Sequence, residues 1–194
     1  MKRFESIEYL KNGNSRQVQS YKILKSINIF NILKEFNPIL VGTIPIGIDI
    51  EKSDLDIVCQ INLENKENFK DIIVKYFSQL KKFKITDKFL SDGIILINFF
   101  IDNIEIEIYA SKLFSIETNG YRHMIIEDRF LNYASLKFKK MIIALKRDGV
   151  KTEPAFAKLL NLNGNPYEEL LNLEFLTDKE IIDKLRELGY EKRE

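Results

Sequence analysis

The sequence predicts an α+β protein, a mixed sheet flanked by helices with a helical C-terminal region, and three observations carry that expectation. Apolar residues recur at helical spacing before residue 40 and again between residues 65 and 80. Between those stripes and after them, residues 54–61 and 104–109 alternate apolar with polar at the period of a strand, and residues 94–101 form a further apolar strand run. From Tyr121 onward only helical stripes and helix punctuation remain. The expected organisation is an α/β core over residues 1–115, including the N-terminal helices, and a helical region over 116–194.

Taken in order, Val18, Tyr21, Leu24 and Ile27 form a helical stripe that shifts at Ser26-Ile27-Asn28 and resumes through Ile29, Ile32, Leu33 and Phe36. Asn37-Pro38 ends it, because a residue before proline is pushed toward extended backbone. Ile39-Leu40-Val41 then reads as a short buried strand. Gly42 to Asp49 is a loop with two glycines and a proline. In the strand Asp54–Ile61, Leu55, Ile57, Cys59 and Ile61 face one way, with Asp54, Asp56, Val58 and Gln60 opposite. A helix over Asn65–Leu80 follows. Strands are expected over Phe83–Leu90, Ile94–Ile101 and Ile104–Tyr109, the last two joined by Asp102-Asn103, residues that tolerate positive φ. Helices are expected over Tyr121–Tyr133 and Leu136–Arg147, from Thr152 with proline in the first turn, and from Pro166. Thr177-Asp178-Lys179-Glu180 has capping-box spacing, and Gly189 is placed as a C-terminal cap.

Composition narrows the function classes. Apolar residues make up 45% and charged residues 30% of 194, which describes a chain able to bury its own core. Lys+Arg total 30 against Asp+Glu 29, so the net charge of +1 argues against a broad basic face and against extended nucleic acid as a partner. One cysteine, Cys59, and one histidine, His123, leave neither an internal disulfide nor the ligands of a structural zinc site. No apolar stretch follows Met1–Glu5, and no run of about 18 apolar residues occurs, so the expectation is a cytoplasmic protein without a membrane partner.

The chemistry is concentrated in Val41-Gly42-Thr43, a ten-residue spacer and Asp54-Leu55-Asp56-Ile57. Two aspartates two apart on a strand share a face, their origins roughly 6–7 Å apart. Their mutual repulsion raises one pKa unless a cation neutralises them, and hard oxygen donors of this kind suit Mg²⁺. A third carboxylate is available on a neighbouring strand at Glu105 or Glu107. Three such groups can hold two ions ~3.5–4 Å apart, as phosphoryl-type displacement requires. Gly42 lets a ligand approach the backbone, and Thr43 offers a hydroxyl and an N–H to phosphate oxygens.

This pattern resembles the DNA polymerase β-type nucleotidyltransferase superfamily: a hydrophobic residue, Gly, then Gly or Ser, a spacer of about ten, then Asp-hydrophobic-Asp/Glu-hydrophobic. More closely, Gly42-Thr43-Ile44-Pro45-Ile46-Gly47-Ile48-Asp49-Ile50 with Ser53-Asp54-Leu55-Asp56-Ile57 is similar to the bacterial family DUF4269. Tyr121-Arg122-His123-Met124 and Lys151-Thr152-Glu153-Pro154-Ala155-Phe156-Ala157-Lys158 resemble that family's helical motifs. The resemblance implies a nucleotidyltransferase-like sheet and Mg²⁺-dependent transfer of a nucleoside monophosphate from a nucleoside triphosphate. It implies Asp54 and Asp56 as metal ligands, Glu107 ahead of Glu105 as the third acid, and Gly42, Thr43 and Ser53 at the triphosphate. Thr43 departs from the commoner serine or glycine and crowds the turn.

Each sharp reading has a bland counterpart. An Asp-x-Asp pair, and the alternating Ile/Glu of residues 104–108, also suit a strand with one solvated face. His123 on a helix is more often structural than catalytic, and Arg122 and Lys151 either bind nucleotide or simply solvate a helix. Cys59 packs on the apolar strand face. The enzyme reading takes a nucleoside triphosphate and a small-molecule or protein acceptor. Its alternative is a non-catalytic, antitoxin-like module of the same fold that binds a nucleotide, or a partner protein on its C-terminal helices. An interaction protein with a merely solvated acidic face is the third reading.

Overall fold

The computed structural model describes residues 2–192 and resolves into two compact units. The first comprises Met1–Gly47 with Lys52–Tyr121, and the second Ile48–Glu51 with Arg122–Glu194. Met1, Arg193 and Glu194, on which the readings of the two chain ends partly rest, lie outside the described residues.

The first unit holds one five-stranded sheet. Its strands are β1 (Ile39–Val41), β2 (Leu55–Gln60), β3 (Lys81–Lys88), β4 (Ile94–Ile101) and β5 (Ile104–Ser111), in the order β1-β2-β5-β4-β3. β2 and β5 run parallel, and every other neighbouring pair is antiparallel. The β4–β5 hairpin closes through Asp102 and Asn103 at φ 49° and 63°, the positive pair that a two-residue turn of this kind demands.

Alternation settles which face is buried. Leu55, Ile57 and Cys59 of β2, Ile95, Ile97 and Phe99 of β4, and Ile104, Ile106, Ile108 and Ala110 of β5 enter one apolar core. Helices α1 (Ser15–Ser26), α2 (Ile29–Ile32) and α3 (Lys66–Phe77) supply its other side through Ile23, Leu24, Ile29, Phe69, Ile73 and Phe77. Phe77 stacks on Phe99 at 5.3 Å, and Phe36 meets Phe69 edge-on at 4.9 Å. Burial raises the thiol pKa of Cys59, so that residue fills space rather than reacts. On the opposite face of the same strands, Asp56, Asn98, Glu105 and Glu107 are only partly buried.

Local punctuation follows side-chain chemistry. Asn14 and Gln17 cap the start of α1 reciprocally, and the expected break falls at Asn28, which takes φ 53°. The strand expected over Phe83–Leu90 instead runs from Lys81 to Lys88 and yields to a single helical turn, α4 (Phe89–Asp92). The cause is Asp87, whose carboxylate accepts the Phe89 N–H at 3.0 Å while Phe89 turns into the core. β3 is a sheet edge, and its open backbone is flanked by exposed Lys81, Lys82, Lys84 and Lys88, with an irregular register between Lys81 and Lys84.

The second unit is helical. α5 (Asn119–Tyr133) begins in the first unit and continues here, followed by α6 (Leu136–Arg147), α7 (Thr152–Leu159), α8 (Pro166–Asn172) and α9 (Asp178–Glu187). Phe138 packs edge-on against Phe156 at 5.7 Å and against Tyr190 at 5.1 Å. The Thr177–Glu180 capping box starts α9, and Gly189 takes φ 71° after it. Among the described residues no helix is long and apolar enough to cross a membrane.

Candidate functional site

The polar face of the first unit brings together the loop after β1 and the centre of the sheet. Val41, the last residue of β1, pairs with Asp56 of β2. Gly42 then turns with φ 84°, and a Cβ built there would lie 2.6 Å from Asp56 Oδ2. The carboxylate therefore rests against a bare α-carbon, a space only glycine leaves. Across the loop, the hydroxyls of Thr43 and Ser53 lie 3.2 Å apart and close its two ends.

α1 fastens this loop. Arg16 donates to the Ser53 carbonyl at 2.6 Å, and the buried Gln17 amide donates to the carbonyls of Ile44 and Pro45 at 2.8 and 3.3 Å. Arg3 adds a bond to Pro45 O at 3.1 Å. Sequence reasoning misses these three, because their partners lie far along the chain and no local pattern announces them.

The sheet register decides which acids are neighbours. Asp56 of β2 stands opposite Glu107 of β5, and Glu107 stands opposite Asn98 of β4. Glu105 pairs with Phe100 instead and has no partner on β2, whose pairing with β5 begins at Leu55 and Ile106. Asn98 Nδ2 donates to Glu105 Oε1 at 3.1 Å and to Glu107 Oε2 at 3.0 Å. Asp54 precedes β2 and is exposed. Among the described residues, no three His, Cys, Asp or Glu side chains are drawn close enough to hold one metal ion. The donors are nonetheless hard carboxylate oxygens, as Mg²⁺ prefers, and two of them, Asp56 and Glu107, are held on adjacent strands.

The helical motif residues are engaged within the second unit. Arg122 makes a forked pair with Glu174, at 3.1 Å from Nε and 2.6 Å from its terminal nitrogen. His123 is buried, donating from Nε2 to the Tyr167 carbonyl at 3.0 Å, with Nδ1 3.4 Å from Glu153 Oε1. Burial pushes the Glu153 carboxyl up, but the His123 contact and its own backbone N–H outweigh that and hold it below the usual range. Lys151 is exposed at the start of α7.

Glu127 is the unexpected member of this unit, only 3% exposed. Burial, reinforced by the Glu153 charge and opposed by Lys146, raises its carboxyl well above the ordinary 4.5. The folded chain thus binds this proton more tightly than the unfolded chain, so stability drains away as pH climbs above 4.5 toward the folded value. Glu127→Gln is expected to raise the melting temperature at pH 8 and to give no gain at pH 4. Equal shifts at both pH values in thermal denaturation would refute the assignment.

The mixed five-stranded sheet flanked by helices is a nucleotidyltransferase-like fold, and solved structures share it. A cytoplasmic RNA terminal U-transferase matches with TM-score 0.53 and 11% identity over 81% of this chain and 46% of that one. Cid1, an RNA terminal uridylyl transferase, matches with TM-score 0.55 and 10% identity over 81% and 48%. A Cid1 structure with Mg and 3′-dATP bound gives TM-score 0.55 and 12% identity over the same shares. The chain spans about half the length of these proteins. A search of curated proteins by sequence finds no match. The chain belongs to the family described as domain of unknown function (DUF4269), whose profile matches residues 22–173.

Proposed function

We propose that this chain is a Mg²⁺-dependent nucleotidyltransferase that moves a nucleoside monophosphate from a nucleoside triphosphate to a hydroxyl of a small-molecule or protein acceptor. One observation carries the reading. Asp56 and Glu107 stand opposite each other across parallel strands, with the Asp56 carboxylate laid against Gly42 at the mouth of the loop.

In this reading Asp56 and Glu107 would hold the metal, with Asp54, exposed just before β2, and Glu105 completing its ligands. Mg²⁺, when bound, offsets their charge and that of the triphosphate and polarises the α-phosphate. Gly42 keeps side chains away from the phosphate oxygens, while the Thr43 hydroxyl and N–H and the Ser53 hydroxyl orient them. One carboxylate accepts the proton of the attacking hydroxyl. The acceptor oxygen forms a bond to the α-phosphorus, and the bond to the β-phosphate bridging oxygen breaks to release pyrophosphate. Cid1 supports the cofactor choice, since one of its structures has Mg and 3′-dATP bound. The balance of 30 basic against 29 acidic residues favours a compact acceptor over a long polyanion. Arg122 and His123 take nucleotide or acceptor contacts only when Glu174, Tyr167 and Glu153 release them, whereas Lys151 is exposed.

The test is thermal denaturation with Mg²⁺ and each of ATP, GTP, CTP and UTP, followed by transfer of labelled nucleotide to small-molecule, protein and RNA acceptors. A ligand at about 100 times its Kd contributes about 2.7 kcal/mol. For a chain of this size that predicts a rise of roughly 5–10 °C with the preferred nucleotide and none with Mg²⁺-free EDTA samples. Stabilisation without transfer to any acceptor would leave a binding module, and transfer to RNA alone would overturn the acceptor class.

A further inference from the structure

We infer that Asn98 is a positioning residue for the acid cluster, a neutral clamp that fixes Glu107 opposite Asp56 and ties Glu105 to it. The inference rests on the nucleotidyl-transfer reading and names the residue that holds in place the third carboxylate that register selects.

The reasoning begins with β5. Glu105 and Glu107 project from the same face, their origins roughly 6–7 Å apart, and two like charges at that spacing repel. Either could swing toward the partner strand or away from it unless something fixes both. Asn98 is placed to do so, because β4 sets it directly opposite Glu107. A side-chain amide nitrogen carries two hydrogens, and here each is spent on one carboxylate, Glu105 Oε1 at 3.1 Å and Glu107 Oε2 at 3.0 Å. The bridge uses one oxygen of Glu107 and leaves Oε1 outside it.

Residue type matters at this position. A lysine or arginine would hold both acids equally well but would cancel their charge and repel a divalent cation. An aspartate would add a third negative charge and no donor. Serine or threonine offers a single hydrogen, too few for two acceptors. Asparagine provides two donors at zero charge, so it holds both acids without adding charge of its own. Asn98 is also the sole polar side chain in Ile94–Ile101, where β-propensity alone favours another apolar or β-branched residue.

Two measurements test this on the full chain. In the metal-free protein, the two side-chain amide protons of Asn98 are followed by NMR. Glu105→Gln is expected to move one of them and Glu107→Gln the other; either substitution leaving both unmoved would overturn the clamp. Separately, Asn98→Leu and Asn98→Ser are titrated with Mn²⁺ alone. Asn98→Leu is expected to weaken Mn²⁺ binding about tenfold and to raise the Mg²⁺ concentration for half-maximal transfer by a similar factor. Transfer at saturating Mg²⁺ should then return to within a few-fold of wild type. Unchanged Mn²⁺ affinity in Asn98→Leu, with wild type binding normally, overturns the positioning role and leaves nucleotidyl transfer standing. Absence of Mn²⁺ binding in wild type overturns both. Should Asn98→Leu fold poorly, Asn98→Ser, neutral and with a single hydrogen to donate, is the second variant: weaker Mn²⁺ binding than wild type supports the clamp, and wild-type affinity overturns it.

Discussion

Asp56→Asn is expected to lower nucleotidyl transfer about a thousandfold. A factor of that size corresponds to about 4 kcal/mol of lost transition-state stabilisation, the scale of one essential electrostatic group. Asp56 is the acid most tightly specified by its surroundings, paired with Val41 on one side and Glu107 on the other, and set against Gly42. Asparagine keeps that shape and removes the charge a cation needs. The stabilisation by Mg²⁺ with nucleotide should vanish along with transfer. An Asp56→Asn protein that retains a tenth or more of wild-type transfer in a labelled-nucleotide assay would refute the site.

Gly42→Ala carries the second large effect, and it acts through two separable causes. The left-handed backbone at φ 84° costs an alanine about 1–2 kcal/mol, which for a chain of this length lowers the melting temperature by roughly 2–8 °C. The added methyl also lands 2.6 Å from Asp56 Oδ2, so the carboxylate has to leave its seat. Transfer should therefore fall about a hundredfold, beyond what the stability loss explains. Gly149→Ala is the matching control, because Gly149 has φ 90° with nothing within 4 Å of a built Cβ. It should lose comparable thermal stability and retain transfer. Equal activity in the two variants, measured well below their melting temperatures, would show that the Asp56 contact has no functional weight.

Much of this architecture is legible before any coordinates. The alternation of Leu55, Ile57 and Cys59 assigns their strand to the core face, and Asp102-Asn103 marks a hairpin because few other dipeptides accept two positive φ angles. The capping box at Thr177 and Glu180 and the interruption at Asn28 are equally local, and local chemistry is what a sequence displays directly. Register is different. Glu105 and Glu107 are equivalent by alternation, and only the parallel pairing of β2 with β5 sets one of them across from Asp56. The Arg16 and Gln17 bonds to the loop likewise need long-range closure. Asn98 left a trace, a lone amide in an apolar run, but its meaning depends on which acids the neighbouring strand delivers. The early end of β3 turned on one carboxylate, Asp87, capturing a backbone N–H two residues on.

The two rims of the sheet are protected by unlike means. β1 offers only three residues of open backbone, too short a template for another chain to extend. β3 offers eight, and there the defence is electrostatic. A second copy docking strand to strand would have to stack Lys81, Lys82, Lys84 and Lys88 against their own counterparts, and that self-repulsion discourages intermolecular β-pairing and the insoluble assemblies it seeds.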